Sequence, residues 1–110
     1  MLEERVRVAQ LLDVYGALLT DRQQRILSCY VLEDFSLGEI TEEEKISRQA
    51  VHDTVRRGIQ GMEEYEKALG LMENRENQKK ELEGILKNLS SELESDRKLG
   101  IEKIRMLIES

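Results

Sequence analysis

A chain of 110 residues without a single proline has to end its helices by other means. Side-chain caps are the main alternative, and they recur along this sequence. Thr20 is followed by Gln23, and Ser36 by Glu39, the spacing of a capping box. Ser47 stands in the same relation to a further helical stretch. Between these points apolar residues return every three or four positions, the period of an amphipathic helix. Val8, Leu11, Leu12, Tyr15, Leu18 and Leu19 form one stripe, expected to end near Leu19. Ile26, Leu27, Tyr30 and Val31 form a second, expected to run to about Glu33. Leu37 and Ile40 point inward from a short helix that ends near Glu44. The expected fold is all-α.

The helix that follows Ser47 continues well past its first turns. Val51, Val55, Gly58, Met62, Tyr65, Leu69 and Met72 alternate steps of four and three, which makes a heptad seam. Each glycine inside a helix costs about 1 kcal/mol relative to alanine, so a kink or an end is expected near Gly58 to Gly61 or near Gly70. The stretch "ENRENQKK" is polar and reads as a linker or an exposed helix. Leu82, Ile85, Leu86, Leu89 and Leu93 then resume a helical stripe. Ser95 or Asp96 is expected to cap a last helix carrying Leu99, Ile101, Ile104, Leu107 and Ile108. Two parts are expected: a helix-turn-helix domain over 1–72 and a helical extension over 73–110. The late stripes exceed what a small domain can cover, and an uncovered stripe marks an interface. A homodimer is expected, with packing inside one chain as the alternative.

Residues 36–58, "SLGEITEEEKISRQAVHDTVRRG", hold the chemistry. A short helix, a tight turn at "EKIS" and a capped helix make a helix-turn-helix. The first turns of the second helix are the ones that meet bases and phosphates in such a motif. Ser47, Arg48 and Gln49 occupy those places. Arginine pairs with guanine and glutamine with adenine through two-point contacts. His52 lies one turn beyond Arg48, and Arg56 continues that face. Arg56 and Arg57 are each read as a backbone contact or a surface ion pair. Ala50, Val51 and Val55 face the core. Between Ser47 and Gln60 the only acid is Asp53.

The whole chain is acidic, with 23 Asp and Glu against 17 Lys and Arg and a net charge of −6. That balance opposes general coating of nucleic acid, which depends on counterion release by basic residues. A local basic face still acts at contact range, because salt screens beyond roughly 10 Å. One His and one Cys give no metal-ligand set and no nucleophile-base pair, so no enzyme activity, metal or cofactor is expected. Cys29 reads as a small, partly buried residue. No apolar run approaches the roughly 20 residues of a membrane span, and the first residues lack a signal-peptide layout. A soluble cytoplasmic protein without membrane insertion is expected.

Residues 19–58 resemble region 4 of bacterial sigma factors in "LTDRQQRIL", "SLGEI" and "ISRQAV". The longer pattern "YGALLTDRQ…YVLEDFSLGEI…SRQAVHD" is closer to the YlxM family of small helix-turn-helix proteins, from Tyr15 to about Tyr65. That resemblance implies a sigma region 4-like domain in a cytosolic bacterial protein. It also implies an accessory role in the signal recognition particle pathway, with particle RNA, duplex DNA or particle proteins as partners. The alternatives are a dimeric DNA-binding transcription regulator and a protein-protein adaptor that binds no nucleic acid. The sequence departs from the family pattern at Thr41, where Ala is usual, and at Glu44, where a bulky apolar residue is usual. An unpaired buried carboxylate costs several kcal/mol, so Glu44 is expected to be exposed and the turn altered.

Overall fold

Thr20, Ser36 and Ser47 each cap a helix in the computed structural model. It describes residues 2–110, with side chains from Glu3 onward; Met1, counted in the expected first domain, lies outside the described residues. The protein is all-α: α1 Leu2–Tyr15, α2 Asp21–Leu27, α3 Leu37–Glu44, α4 Arg48–Leu69, α5 Leu71–Leu89 and α6 Glu94–Glu109, with no strand among the described residues. The chain divides into two compact units, one up to Met72 and one from Glu73 to Ser110.

In the first unit the caps work as capping boxes at α2 and α3. Thr20 Oγ1 accepts from the Gln23 backbone N–H at 3.2 Å, and Gln23 Oε1 accepts from the Thr20 N–H at 3.0 Å. Ser36 and Glu39 repeat the exchange at 3.1 and 3.5 Å. The apolar stripes of α1, α2 and α4 meet around Val8, Leu11, Leu12, Tyr15, Leu27 and Met62, all buried. Ile26, on the other side of α2, joins Ile40 and Val51 in a second cluster. Val55 packs against both.

Two expectations for the first unit are corrected, and two alternatives that the sequence left open are decided. The first α-helix stops at Tyr15, a single 3₁₀ turn follows over Gly16–Leu18, and Leu18 is exposed instead of joining the stripe. The second stripe is α-helical only to Leu27; Ser28–Leu32 form a π-helical turn, and Tyr30 and Val31 are half-buried. Asp34 then adopts a left-handed conformation (φ 57°), which a short polar side chain tolerates better than most, and turns the chain toward α3. The long helix passes Gly58 and Gly61 without a break and ends at Gly70, left-handed at φ 62°. The stretch "ENRENQKK" is helical, inside α5.

A third correction concerns the start of α6. Its N-cap is Leu93, which offers no side-chain bond. Neither Ser95 nor Asp96 caps it. Ser91 Oγ instead donates to Asp96 at 2.7 Å and accepts from the Leu93 N–H at 3.1 Å. Arg97 donates to the carbonyls of Ser91 and Glu92 at 3.0 and 2.8 Å. Within this second unit α5 and α6 approach closely at Gly100, where a Cβ would stand 3.0 Å from Asn88 Cβ and 3.1 Å from Leu89. Lys103 donates to Asn88 Oδ1 at 2.8 Å across the same pair.

Candidate nucleic-acid interface

α3, three linking residues and α4 form the helix-turn-helix. Lys45 ends α3 in a left-handed conformation (φ 57°), its N–H donating to the Thr41 carbonyl at 2.9 Å. Thr41 is half-buried, and its hydroxyl donates to the Leu37 carbonyl at 2.8 Å. Ile46 packs against the Ile26, Ile40 and Val51 cluster and anchors the turn from below.

Glu44 departs from its expected exposure. Its side chain is only 13% exposed. Arg25 on α2 reaches it through two bonds, Nη2 to Oε1 at 3.0 Å and Nε to Oε2 at 3.3 Å. The fork of a guanidinium matches a carboxylate at two points. Arg25 holds the Glu44 carboxyl below its ordinary value. Beside it burial pushes the Cys29 thiol up, with Glu33 adding to the shift, so the thiolate is disfavoured.

Val51, Gly58 and Met62 are buried, and this sets the rotation of α4. With 3.6 residues per turn the opposite crest carries Gln49, Asp53, Arg56 and Gln60. Ser47, Arg48, Gln49, His52, Arg56 and Arg57 are all exposed. The Ser47 hydroxyl is committed to its cap, accepting from the Ala50 N–H at 3.0 Å. Arg48 extends over α3; a Cβ on Gly38 would stand 3.7 Å from its Nη2. Gln49 Nε2 donates to Asp53 Oδ1 at 3.0 Å, and Arg56 Nη2 lies 3.5 Å from the same oxygen. Arg48 and Arg57 hold no hydrogen bond or ion pair within the described residues.

The six candidates therefore do not converge on one point. His52 and Arg56 border a groove of about 390 Å³ whose floor includes Val8, Val31, Val55 and Ile59. Arg5 also borders it, lying over the Tyr30 ring at 5.2 Å and paired with Asp34. Arg57 projects from α4 about 140° round from His52, on the other flank. Such an arrangement suits a long ligand that spans a helix, and it does not gather groups around a single reacting atom. Among the described residues no group of three or more His, Cys, Asp or Glu comes together as a metal would require. No helix among them is long and apolar enough to cross a membrane.

The role of Asp53 was not anticipated. Its signal was in the spacing, since Gln49 and Arg56 stand four residues before it and three after it.

A family model described as helix-turn-helix, YlxM / p13 like, matches residues 2–102. A UPF0122 protein of Clostridium kluyveri is 41% identical over 108 residues, covering 97% of this chain and 96% of its own. One from Halalkalibacterium halodurans is 40% identical over 110 residues, covering 100% and 95%. One from Geobacillus kaustophilus is 40% identical over 100 residues, 91% of each chain.

Proposed function

Because the chain belongs to the UPF0122 family of YlxM / p13-like helix-turn-helix proteins, we propose that it is a non-enzymatic regulatory protein that binds nucleic acid through the outer face of α4. Ser47, Arg48, Gln49, His52, Arg56 and Arg57 are the proposed contacts. The observation that carries this reading is the pair of uncommitted guanidinium groups, Arg48 and Arg57, exposed on the two flanks of a half-buried helix whose first turn is capped and held by a fixed turn. Phosphate contacts by such groups release counterions and make affinity fall with salt. A place in the cytoplasm and an accessory role in the signal recognition particle pathway rest on the family resemblance.

Duplex DNA is the second reading, and one observation favours it. The outer face of α4 carries no Phe, Tyr or Trp, and its one ring is the small imidazole of His52. Tyr15 and Tyr65 stack on each other at 6.0 Å, and Tyr30 and Phe35 are half-buried. Recognition of unstacked bases relies on aromatic platforms, while a helix fits the DNA major groove and not the deep, narrow groove of duplex RNA. A dimeric regulator of transcription fits that reading. Fluorescence anisotropy at about 0.1 M salt, where screening reaches roughly 10 Å, tests both. The probes are labelled signal recognition particle RNA, a random RNA and a random duplex DNA, each with wild type and Arg48→Ala. Binding confined to the particle RNA supports the pathway role. Binding to the duplex that Arg48→Ala weakens supports the DNA reading. Flat curves for every probe remove the nucleic-acid function and leave a protein-protein adaptor.

A further inference from the structure

The crest of α4 is held by the one acid between Ser47 and Gln60. Asp53 Oδ1 takes Gln49 Nε2 from the turn before it and Arg56 Nη2 from the turn after it. Its side chain is 35% exposed, so it still faces an incoming ligand. A carboxylate is a poor choice at that place for a general binder. Phosphates repel it, and most of the polar atoms in the major groove are acceptors.

Resting on the duplex DNA reading above, we propose that Asp53 is the specificity-determining residue of this face, disfavouring guanine or thymine at the base it meets and admitting a base that offers an amino group. Two features of the geometry lead to this. The Gln49 amide nitrogen is turned to Asp53, so Gln49 Oε1 is the end left for a base. Two acceptors, Asp53 and Gln49 Oε1, thus stand together on the crest. In the major groove only cytosine N4 and adenine N6 donate, whereas guanine presents O6 and N7. The crest therefore seeks cytosine or adenine and refuses guanine at its centre. Arg56, drawn toward the same carboxylate, is also held back from phosphates. Asp53 lowers affinity for every duplex and lowers it least where an amino group meets it. This is how an acidic chain whose reading helix is basic in its first half avoids indiscriminate binding.

The test uses the whole chain, with Asp53→Asn, Asp53→Glu, Arg48→Ala and the Asp53→Asn/Arg48→Ala pair. Circular dichroism confirms that each keeps its helix content. Anisotropy is measured on a labelled duplex of arbitrary sequence over a salt series, and a random duplex pool is put through selection. Asp53→Asn is expected to bind the arbitrary duplex roughly 3- to 10-fold tighter than wild type at about 0.1 M salt, with a salt slope steeper by about one. Asp53→Glu keeps the charge and is expected to stay near wild type. Selection with wild type is expected to recover cytosine or adenine at a position where Asp53→Asn shows no preference. Equal affinity of wild type and Asp53→Asn, both tighter than Arg48→Ala, overturns the role of Asp53 and leaves the nucleic-acid reading standing. Tighter binding by Asp53→Asn that the added Arg48→Ala does not weaken puts the gain elsewhere on the surface and also overturns it. No duplex binding by wild type or Asp53→Asn overturns the role of Asp53 together with the duplex DNA reading, and leaves RNA binding to the anisotropy probes above.

Discussion

Arg25 and Glu44 meet across 3.0 and 3.3 Å, joining the end of α2 to the end of α3. The pair fixes the geometry of the turn before the reading helix, because Lys45 and Ile46 follow directly. Its two members are not equivalent. Arg25 is half in water, while Glu44 is mostly covered. Removing Arg25 therefore leaves a covered carboxylate without its partner, whereas replacing both with apolar residues restores a neutral contact. Arg25→Ala is expected to lower the urea midpoint, and Arg25→Ala with Glu44→Leu is expected to recover most of the loss. Equal midpoints for the single and double variants would show that the pair is not coupled. The same bond sets a pH dependence. The Glu44 carboxyl lies below its ordinary value of 4.5 because of Arg25, and Glu63 lies below it because of Arg7, bound at 2.7 and 2.8 Å. A lowered folded-state value means that the unfolded chain takes up protons first. The stability from both pairs is thus complete above the ordinary value and is lost as pH falls through the folded values beneath it. Urea melts from about pH 6 to about pH 3 should show this loss, and it should be smaller in the Arg25→Ala/Glu44→Leu double variant.

Among the elements, α4 depends on two glycines in opposite ways. A Cβ at Gly58 would stand 2.5 Å from Leu27 Cδ1, and Leu27 is fully buried with little room to move. At Gly61 nothing lies within 4 Å. Alanine gains about 1 kcal/mol of helix propensity at either place, but overpacking costs about 1–3 kcal/mol at Gly58 alone. Gly61→Ala is expected to be more stable than wild type by up to about 1 kcal/mol. Gly58→Ala is expected to be less stable by up to about 2 kcal/mol. Thermal melts that ranked the two variants equally would mean that α2 and α4 do not need their close approach. This contrast also separates what the sequence discloses from what it hides. Capping boxes at Thr20 and Ser36 are local, with both partners within four residues, so they are legible without any fold. The continuous course of α4 is less so, because the penalty of two glycines is visible in sequence while the packing at Gly58 is not. The π turn at Ser28–Leu32 and the Ser91–Asp96 bond gave no capping signature to read. The site divides the same way. Exposure of Gln49 follows from helix period, whereas the Arg25–Glu44 pair spans 19 residues and needs the fold.

On the scale of the whole molecule, the second unit leaves most of its apolar side chains uncovered. Among its described residues Ile85 is the only large apolar side chain that is buried. Leu82, Leu86, Leu93, Met106 and Ile108 are each at least 59% exposed. Covering a side chain of this kind stabilises by about 1.5–3 kcal/mol, and two short helices alone are marginal in water. A second copy is the proposed cover, which brings two α4 helices into one assembly, as two-fold duplex readers require. Leu89 already packs at Gly100, so Leu82 and Leu86 are the better probes of the outer face. Sedimentation should give about twice the 12.8 kDa chain mass, and Leu82→Asp with Leu86→Asp should return the mass of one chain. Salt separates this contact from the proposed ligand contact. Each chain carries −6, so association brings like charges together and is strengthened when salt screens them. Nucleic-acid affinity moves the other way, falling as salt rises. A dimer that tightened between about 0.05 and 0.5 M salt would point to an apolar seam between two acidic chains. A dimer that weakened over that range would be held by ion pairs, and the leucine stripe would then need another partner.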